Sequence, residues 1–424
     1  MAILAWALWA SAAFIKVLHG LRVKYGPLFT LRIGPQPIIF ICSRSLAHRA
    51  LVQHGAVFSD RPKALATSEI LNNISSAAYG PTWRLLSRNL TSEMLHPSRS
   101  CSFSHARLSV LNTLLRCLLL NKYEPVTVVD HFQYAMFALL VLMCFGDKLD
   151  DEKIKQVEAV QRALLLSHAR FDVLNFWPRL GKIVFRNRWK ELEKLRKDEE
   201  EVVIPLIRAR IEARKRQDSM VVYVDTLTGL QLPDEGNKSL TGGNGETAAA
   251  ASGDIGHGHC SGQGGGRGKN AILKSSGSGR SKAAPAGALC AAAHGDGGGG
   301  AGRVRGAKGA QVNFTVAEMG WDPEVWEEPM SFRPERFLSD GKEVFDVTGS
   351  REIKMMPFGA GRRICPGWNL ALLHLGYYVA NLVWYFEWSA ANGADVDLSE
   401  KLEFTVVMKH PLQAHVSPRC QVKY

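Results

Sequence analysis

The residues best placed to do chemistry lie in one stretch, Pro357-Phe-Gly-Ala-Gly-Arg-Arg-Ile-Cys-Pro-Gly367. Gly359 and Gly361 let the backbone turn tightly and come close to a flat ligand. Arg363 offers a fork of donors that matches a carboxylate. The apolar run from Asn369 to Phe386 that follows reads as a fully buried helix, which puts Cys365 at a helix N-terminus. There the dipole and the backbone N–H groups favour a thiolate. A thiolate in a Gly-rich turn beside an arginine is a ligand for a soft metal centre that carries acidic side groups. The bland alternative is a buried cysteine in an ordinary turn.

The loop resembles that of the cytochrome P-450 haem-thiolate monooxygenases, whose pattern is F-x-x-G-x-R-x-C-x-G. Phe358, Gly361, Arg363, Cys365 and Gly367 fill every fixed position. Upstream, Trp321-Asp-Pro-Glu-Val-Trp326 and Phe332-Arg-Pro-Glu-Arg-Phe337 resemble the family's meander and its P-E-R-F element. Tyr25 to Gly34, Phe58 to Pro62 and Phe404 to Pro411 are similar to segments of microsomal plant members. The resemblance covers 16–235 and 311–424. It implies a mainly α fold with a small β element, and haem b with Cys365 as the iron ligand and Arg363 on a propionate. It also implies two electrons from NADPH through a flavoprotein reductase, and one oxygen atom of O2 inserted into an apolar small molecule. The setting it implies is the cytosolic face of the endoplasmic reticulum membrane. A family helix carries W-x-x-x-R, whose arginine reaches a propionate. Here Trp83 is followed at that spacing by Ser87, and Arg88 lies one position further, about 100° round a helix. Trp83 and Arg88 therefore join the candidate cofactor-binding residues. The resemblance places substrate-pocket positions around Ser68 to Tyr79 and Thr405 to Met408.

Two family elements are missing. No A-G-x-[DE]-T string, the acid and alcohol of the distal helix, occurs in the chain, so no catalytic residue is identified. The helix with E-x-x-R that precedes P-E-R-F is also absent. The single E-x-x-R string, Glu193-Lys-Leu-Arg196, lies far upstream in a charged stretch, which leaves Arg336 without an evident partner. Both elements belong where 236–310 stands. The expectation is that the chain as written does not hold haem in a competent monooxygenase site.

That segment, 236–310, has no Phe, Trp or Tyr and holds 23 of the 39 glycines. Nine Lys or Arg against three Asp or Glu give it +6, half of the chain's +12. It reads as disordered, since it cannot bury enough apolar surface to offset ordering entropy. An RNA-binding tail would interleave aromatics, and it has none, so no nucleic acid is expected as a partner. His257, His259, Cys260, Cys290 and His294 do not have zinc spacing. Gly, Ala, Arg and Pro have GC-rich codons, so the composition is also that of translated non-coding sequence.

The flanking parts read as folded. At 46% hydrophobic and 22% charged, the 424-residue chain is neither mostly disordered nor a polytopic membrane protein. Eight cysteines without paired spacing point to a reducing compartment. Residues 1–15 open with an apolar run to Phe14, about 21 Å as helix against a hydrocarbon core of roughly 30 Å. This is a clipped membrane anchor or else an interfacial or core helix, so a membrane surface is one candidate partner. Leu28 to Ile33 and Ile38 to Ile41 around Gly34-Pro-Gln-Pro37 predict a hairpin. Leu108, Leu111, Leu115 and Leu118 predict one buried helical face, and Ala135 to Phe145 a core helix stopped by Gly146. Residues 186–216 predict a charged helix with Leu192, Leu195, Val202, Leu206 and Ile207 along one side and Glu193 paired to Lys197.

Overall fold

The computed structural model describes residues 12–33, 36–62, 74–120, 124–146, 149–171, 174, 183–216, 221–230, 293–294, 310–329, 331, 333–337, 345–391, 396–397, 399–402 and 406–419. The predicted apolar opening lies outside these up to Ser11. So does the Gly-rich segment, apart from Ala293–His294 and Ala310.

Helix α1 (Ala12–Tyr25) ends at Gly26, whose φ of +87° carries the chain into the hairpin. Strands β1 (Leu28–Ile33) and β2 (Gln36–Ile41) pair antiparallel with Leu28 opposite Ile41, so the predicted hairpin forms, its second strand starting two residues early. Pro37 precedes the point, at Ile38, where β2 begins to pair with a second neighbour, so its missing N–H breaks no ladder there. That neighbour is β5 (Gln311–Phe314), parallel to β2, and β4 (Ala293–His294) pairs antiparallel with β5. The period of two sorts the side chains. Ile38, Phe40 and Cys42 pack on Leu18 of α1 and on Phe29, whose ring stacks 5.5 Å from that of Phe40. Ile41, Val312 and Phe314 face the other way, onto Ala47, Leu51, Met356 and Ala360. This second layer lies beneath the cysteine loop.

The main core is helical. The short helices α2 (Arg44–His48) and α10 (Val316–Gly320) pack into the second layer of the sheet, while the main core is built on α3 (Pro81–Leu90), α4 (Pro97–Ser102), α5 (Ser104–Leu120), α6 (Val128–Phe145), α7 (Asp151–Phe171), α8 (Arg186–Lys215), α9 (Tyr223–Leu227) and α11 (Trp368–Tyr385). Small sheets close it: β3 (Val126–Thr127), β9 (Gln413–Pro418) and β6 (Phe386–Ala390) form one, β7 (Glu400–Leu402) and β8 (Val406–Met408) another. Helix α6 is long and apolar enough to cross a membrane, yet its Leu139 and Met143 are fully buried in the main core. Gly146 closes it at φ +95° with its N–H on the Leu142 carbonyl, as predicted.

Three local expectations are corrected. On α5 the buried face is Val110, Leu111, Leu114, Leu115 and Leu118, while Leu108 is 48% exposed, because the stripe turns with the 3.6-residue period. On α8, Glu193 accepts from the Trp189 indole at 2.6 Å and Lys197 meets Glu201 at 3.7 Å, so the Glu193–Lys197 pair does not form. Arg196 is held by Glu199 and Glu200, which makes it an ordinary helix-face residue. Helix α11 is not buried all round: Leu373, Val383 and Trp384 are exposed, and Phe386 already begins β6. A hydrophobic residue reports what would cover it, and no described element covers that side.

Candidate functional site

The cysteine loop is built from its own backbone. Gly359 N–H donates to the Met356 carbonyl at 3.2 Å, and Cys365 N–H reaches back to the Phe358 carbonyl at 2.8 Å. Phe358 is buried and anchors the near end. A 3₁₀ turn, Gly361–Arg363, carries the chain across, and Ile364 N–H returns to the Gly361 carbonyl at 3.1 Å. Helix α11 starts three residues after Cys365, with Gly367 at its N-cap, so the thiol stands at a helix N-terminus as predicted. Cys365 is half-buried.

The two glycines differ in purpose. Gly361, at φ +74°, is pressed against the Leu51 carbonyl of the π turn Arg49–Gln53, where any Cβ would overlap that oxygen. Its smallness therefore serves loop packing, which corrects the flat-ligand reading at this position. Gly359, at φ +71°, has open space beside its Cα. Gly367 looks towards Leu95, in the π turn Thr91–Leu95 that continues α3, so the loop and α3 share a boundary.

Arg363 and Trp83 are brought together. The Arg363 guanidinium lies 4.2 Å from the centre of the Trp83 ring and 5.7 Å from that of Tyr79. Its Nε donates to the Ser59 carbonyl at 2.7 Å, Nη2 to Ala77 at 2.8 Å and Nη1 to Ile74 at 3.5 Å. The Trp83 indole N–H donates to the same Ile74 carbonyl at 2.9 Å. Among the described residues Arg363 has no carboxylate partner. Burial, and then the nearby Arg61, pull its pKa down to about 10, with Asp60 and Tyr79 offsetting only part of that. A half-buried cation whose desolvation Asp60 offsets only in part favours a further anionic group.

Arg88 takes no part in this cluster. It is exposed, on an open groove of about 430 Å³ that it shares with Trp83, Arg84, Ser87, Thr91 and His96. In the sequence Tyr79 stands out only as the end of the expected pocket stretch, and Arg362 not at all. Arg362 donates to the Tyr79 hydroxyl at 3.0 Å, and the Trp83 and Tyr79 rings lie 5.0 Å apart. The signal available was the tyrosine just before the Gly80-Pro81 start of α3. Of the expected pocket positions, 68–73 and Thr405 lie outside the described residues, and Ile74 to Tyr79 lie against Arg363.

Arg336 is not without partners. Its Nη2 donates to the carbonyls of Glu327, Glu328 and Ser331 at 3.1, 3.2 and 3.1 Å, and its Nε to that of Arg333 at 3.1 Å. Trp326 lies under it at 5.8 Å and packs on Phe337 and Phe345. Backbone oxygens thus satisfy the guanidinium within the meander itself.

Among the described residues no three His, Cys, Asp or Glu side chains gather as a metal-binding group. A metal here would take one protein ligand, the Cys365 sulfur. One thiol, a half-buried arginine fork, an indole donor and open space at Gly359 would suit a flat metal chelate that carries acidic side groups.

Comparison with known proteins agrees. The cytochrome P450 family profile matches residues 3–249 and 307–417, passing over 250–306. The chain is 40% identical over 457 aligned positions to cytochrome P450 89A9 of Arabidopsis thaliana, covering 96% of this chain and 89% of that one. It is 24% identical to the flavonoid 3'-monooxygenase of the same plant (95% and 87%) and 24% to the germacrene A acid 8-beta-hydroxylase of Helianthus annuus (93% and 88%). A zebrafish cytochrome P450 solved with progesterone superposes with a TM-score of 0.72 over 95% of this chain and 99% of its own, at 16% identity. With the cysteine loop, the meander and the helical core all in the arrangement such proteins share, this chain belongs to the cytochrome P450 family.

Proposed function

We propose that this chain is built as a haem-thiolate monooxygenase for an apolar small molecule, in which the Cys365 sulfur would be the protein's ligand to the iron. The arrangement of Cys365, fixed at the start of α11 by its N–H bond to Phe358, supports this reading most directly. Bound haem supplies the one-electron and O2 chemistry. The protein's part is to hold and orient. Arg363 and the Trp83 indole are the donors for the carboxylates, and Gly359 leaves room beside the ring. Phe358 and the α11 N-terminus keep the sulfur aimed and favour its anionic form. Electrons come from NADPH through a flavoprotein reductase, at the cytosolic face of the endoplasmic reticulum membrane. No residue of this chain is assigned to proton delivery.

The absence of both A-G-x-[DE]-T and a placed E-x-x-R from the sequence favours a second reading, a haem-binding remnant without turnover. The ferrous CO difference spectrum of purified chain tests the shared premise. A thiolate-type Soret band is expected, and Cys365→Ala should lose it. A chain that takes up no haemin, or a band unchanged in Cys365→Ala, rules the premise out.

A further inference from the structure

The donors read as a carboxylate grip are in use. The two amino ends of the Arg363 fork and the Trp83 indole converge on two oxygens of one short segment, Ile74-Ser-Ser-Ala-Ala-Tyr79. The Ile74 carbonyl accepts from both Trp83 and Arg363, as one carboxylate oxygen would, and the Ala77 carbonyl takes the other arm of the fork.

We propose that the 74–79 backbone and a carboxylate-bearing cofactor compete for Arg363 and Trp83, so that loading requires this segment to be displaced. The inference rests on the functional reading above only for the identity of the cofactor. The segment has its own fastenings, separate from the grip. Arg61 Nε donates to the Ser75 carbonyl at 3.1 Å, the Asp60 carboxylate accepts from Tyr79 N–H at 2.8 Å, and Arg362 holds the Tyr79 hydroxyl. Each fastening stabilises the closed arrangement and lowers the fraction of chains able to take a carboxylate, which lowers apparent affinity by that fraction. Arg61 also faces Arg363 as a like charge, so it opposes the arginine fork while tying down the segment that covers it.

Haemin titration into the purified full chain, followed by hydrogen exchange over 74–79 and by stopped-flow absorbance, tests this. Haemin should release the protection of the Tyr79 amide, whose N–H bonds the Asp60 carboxylate in the closed segment, whereas haemin dimethyl ester, which lacks the free carboxylates, should leave it protected. The double variant Arg61→Ala/Tyr79→Phe should take up haemin about tenfold faster than the unmodified chain, since two modest hydrogen bonds no longer hold the segment. Equal protection with and without haemin overturns the proposal. So does equal release by the ester, or an unchanged uptake rate in a double variant that keeps its circular dichroism spectrum. A chain that binds no haemin refutes the functional reading instead. Sodium propionate then decides the competition: release of 74–79 by propionate upholds it, and unchanged exchange overturns it.

Discussion

Gly361 touches the Leu51 carbonyl at a backbone angle, φ +74°, that L side chains rarely adopt. A methyl group there meets both objections at once, steric overlap with a backbone oxygen and left-handed strain. Gly361→Ala should therefore cost about 2–4 kcal/mol, a loss beyond that of most surface substitutions. Thermal unfolding followed by circular dichroism measures it, and a change within experimental error would mean that the π turn can move away. Arg363 lies next to this glycine in space and shows a second residue-level constraint. A guanidinium held at 4.2 Å over an indole and bound to carbonyls keeps its charge at neutral pH in both folded and unfolded chains. Its partial desolvation is thus a cost that Asp60 offsets only in part and a further anion would reduce, the physical reason to expect affinity for carboxylates at this spot.

Between elements, the best-made joint is that of α8 with α9. Arg210 grips Asp225 in two bonds, 3.0 and 2.7 Å, both side chains buried, and Arg214 adds one to the Asp225 carbonyl. Burial alone would raise the Asp225 pKa, but Arg210 and the Val222 N–H outweigh it, and the net shift is downward. A carboxylate with a depressed folded pKa contributes stability that is present above its ordinary value of 3.8 and is lost as pH falls below that. Asp225→Asn should cost about 3 kcal/mol by removing the carboxylate charge from the buried Arg210 grip, and should flatten the stability–pH curve below pH 4. Urea titrations at neutral and acid pH check both. The legibility of elements followed the kind of signal each carried. The hairpin, the Gly146 stop and the 186–216 helix were written in turn residues and periodicity, which are local. Leu108 and the exposed side of α11 misled because apolar character marks a surface to be covered without naming the cover. The partners of Arg336 were invisible for a different reason: they are carbonyl oxygens, which every residue owns, so no string of side chains records them. The same holds for the bonds of Arg363 to Ser59, Ile74 and Ala77. The candidate site's thiol, arginine and glycines were legible, and the contact of Tyr79 with Arg362 came into view only once the fold set them face to face.

For the whole molecule, the family match is broken at 250–306, within the stretch that holds much of the excess positive charge and no aromatic ring. Under the proposed function, haem would be held by residues either side of that break, whereas the acid and alcohol of the A-G-x-[DE]-T string, which would handle protons, are absent from the sequence. The two functional readings part at this point. With a plant flavoprotein reductase and NADPH, the expected outcome is haem uptake without an oxygenated product from apolar substrates. Product accumulation above a reductase-only control would overturn the remnant reading. Sequencing the mature message across 230–315 bears on the same question, because a message encoding the two missing helices would restore the proton path. 

The parallel pairing of β2 with β5 joins Ile38 to Gln311, 273 positions away. Contacts of such high order form late, and on a ribosome they cannot form until β5, nearly three-quarters of the way along the chain, has emerged. Until then Ile38 to Ile41 present an apolar strand edge with nothing beside it, the kind of template on which nascent chains cluster. Whatever its catalytic fate, this polypeptide should depend on chaperones, and its soluble yield should be set by how long that edge waits.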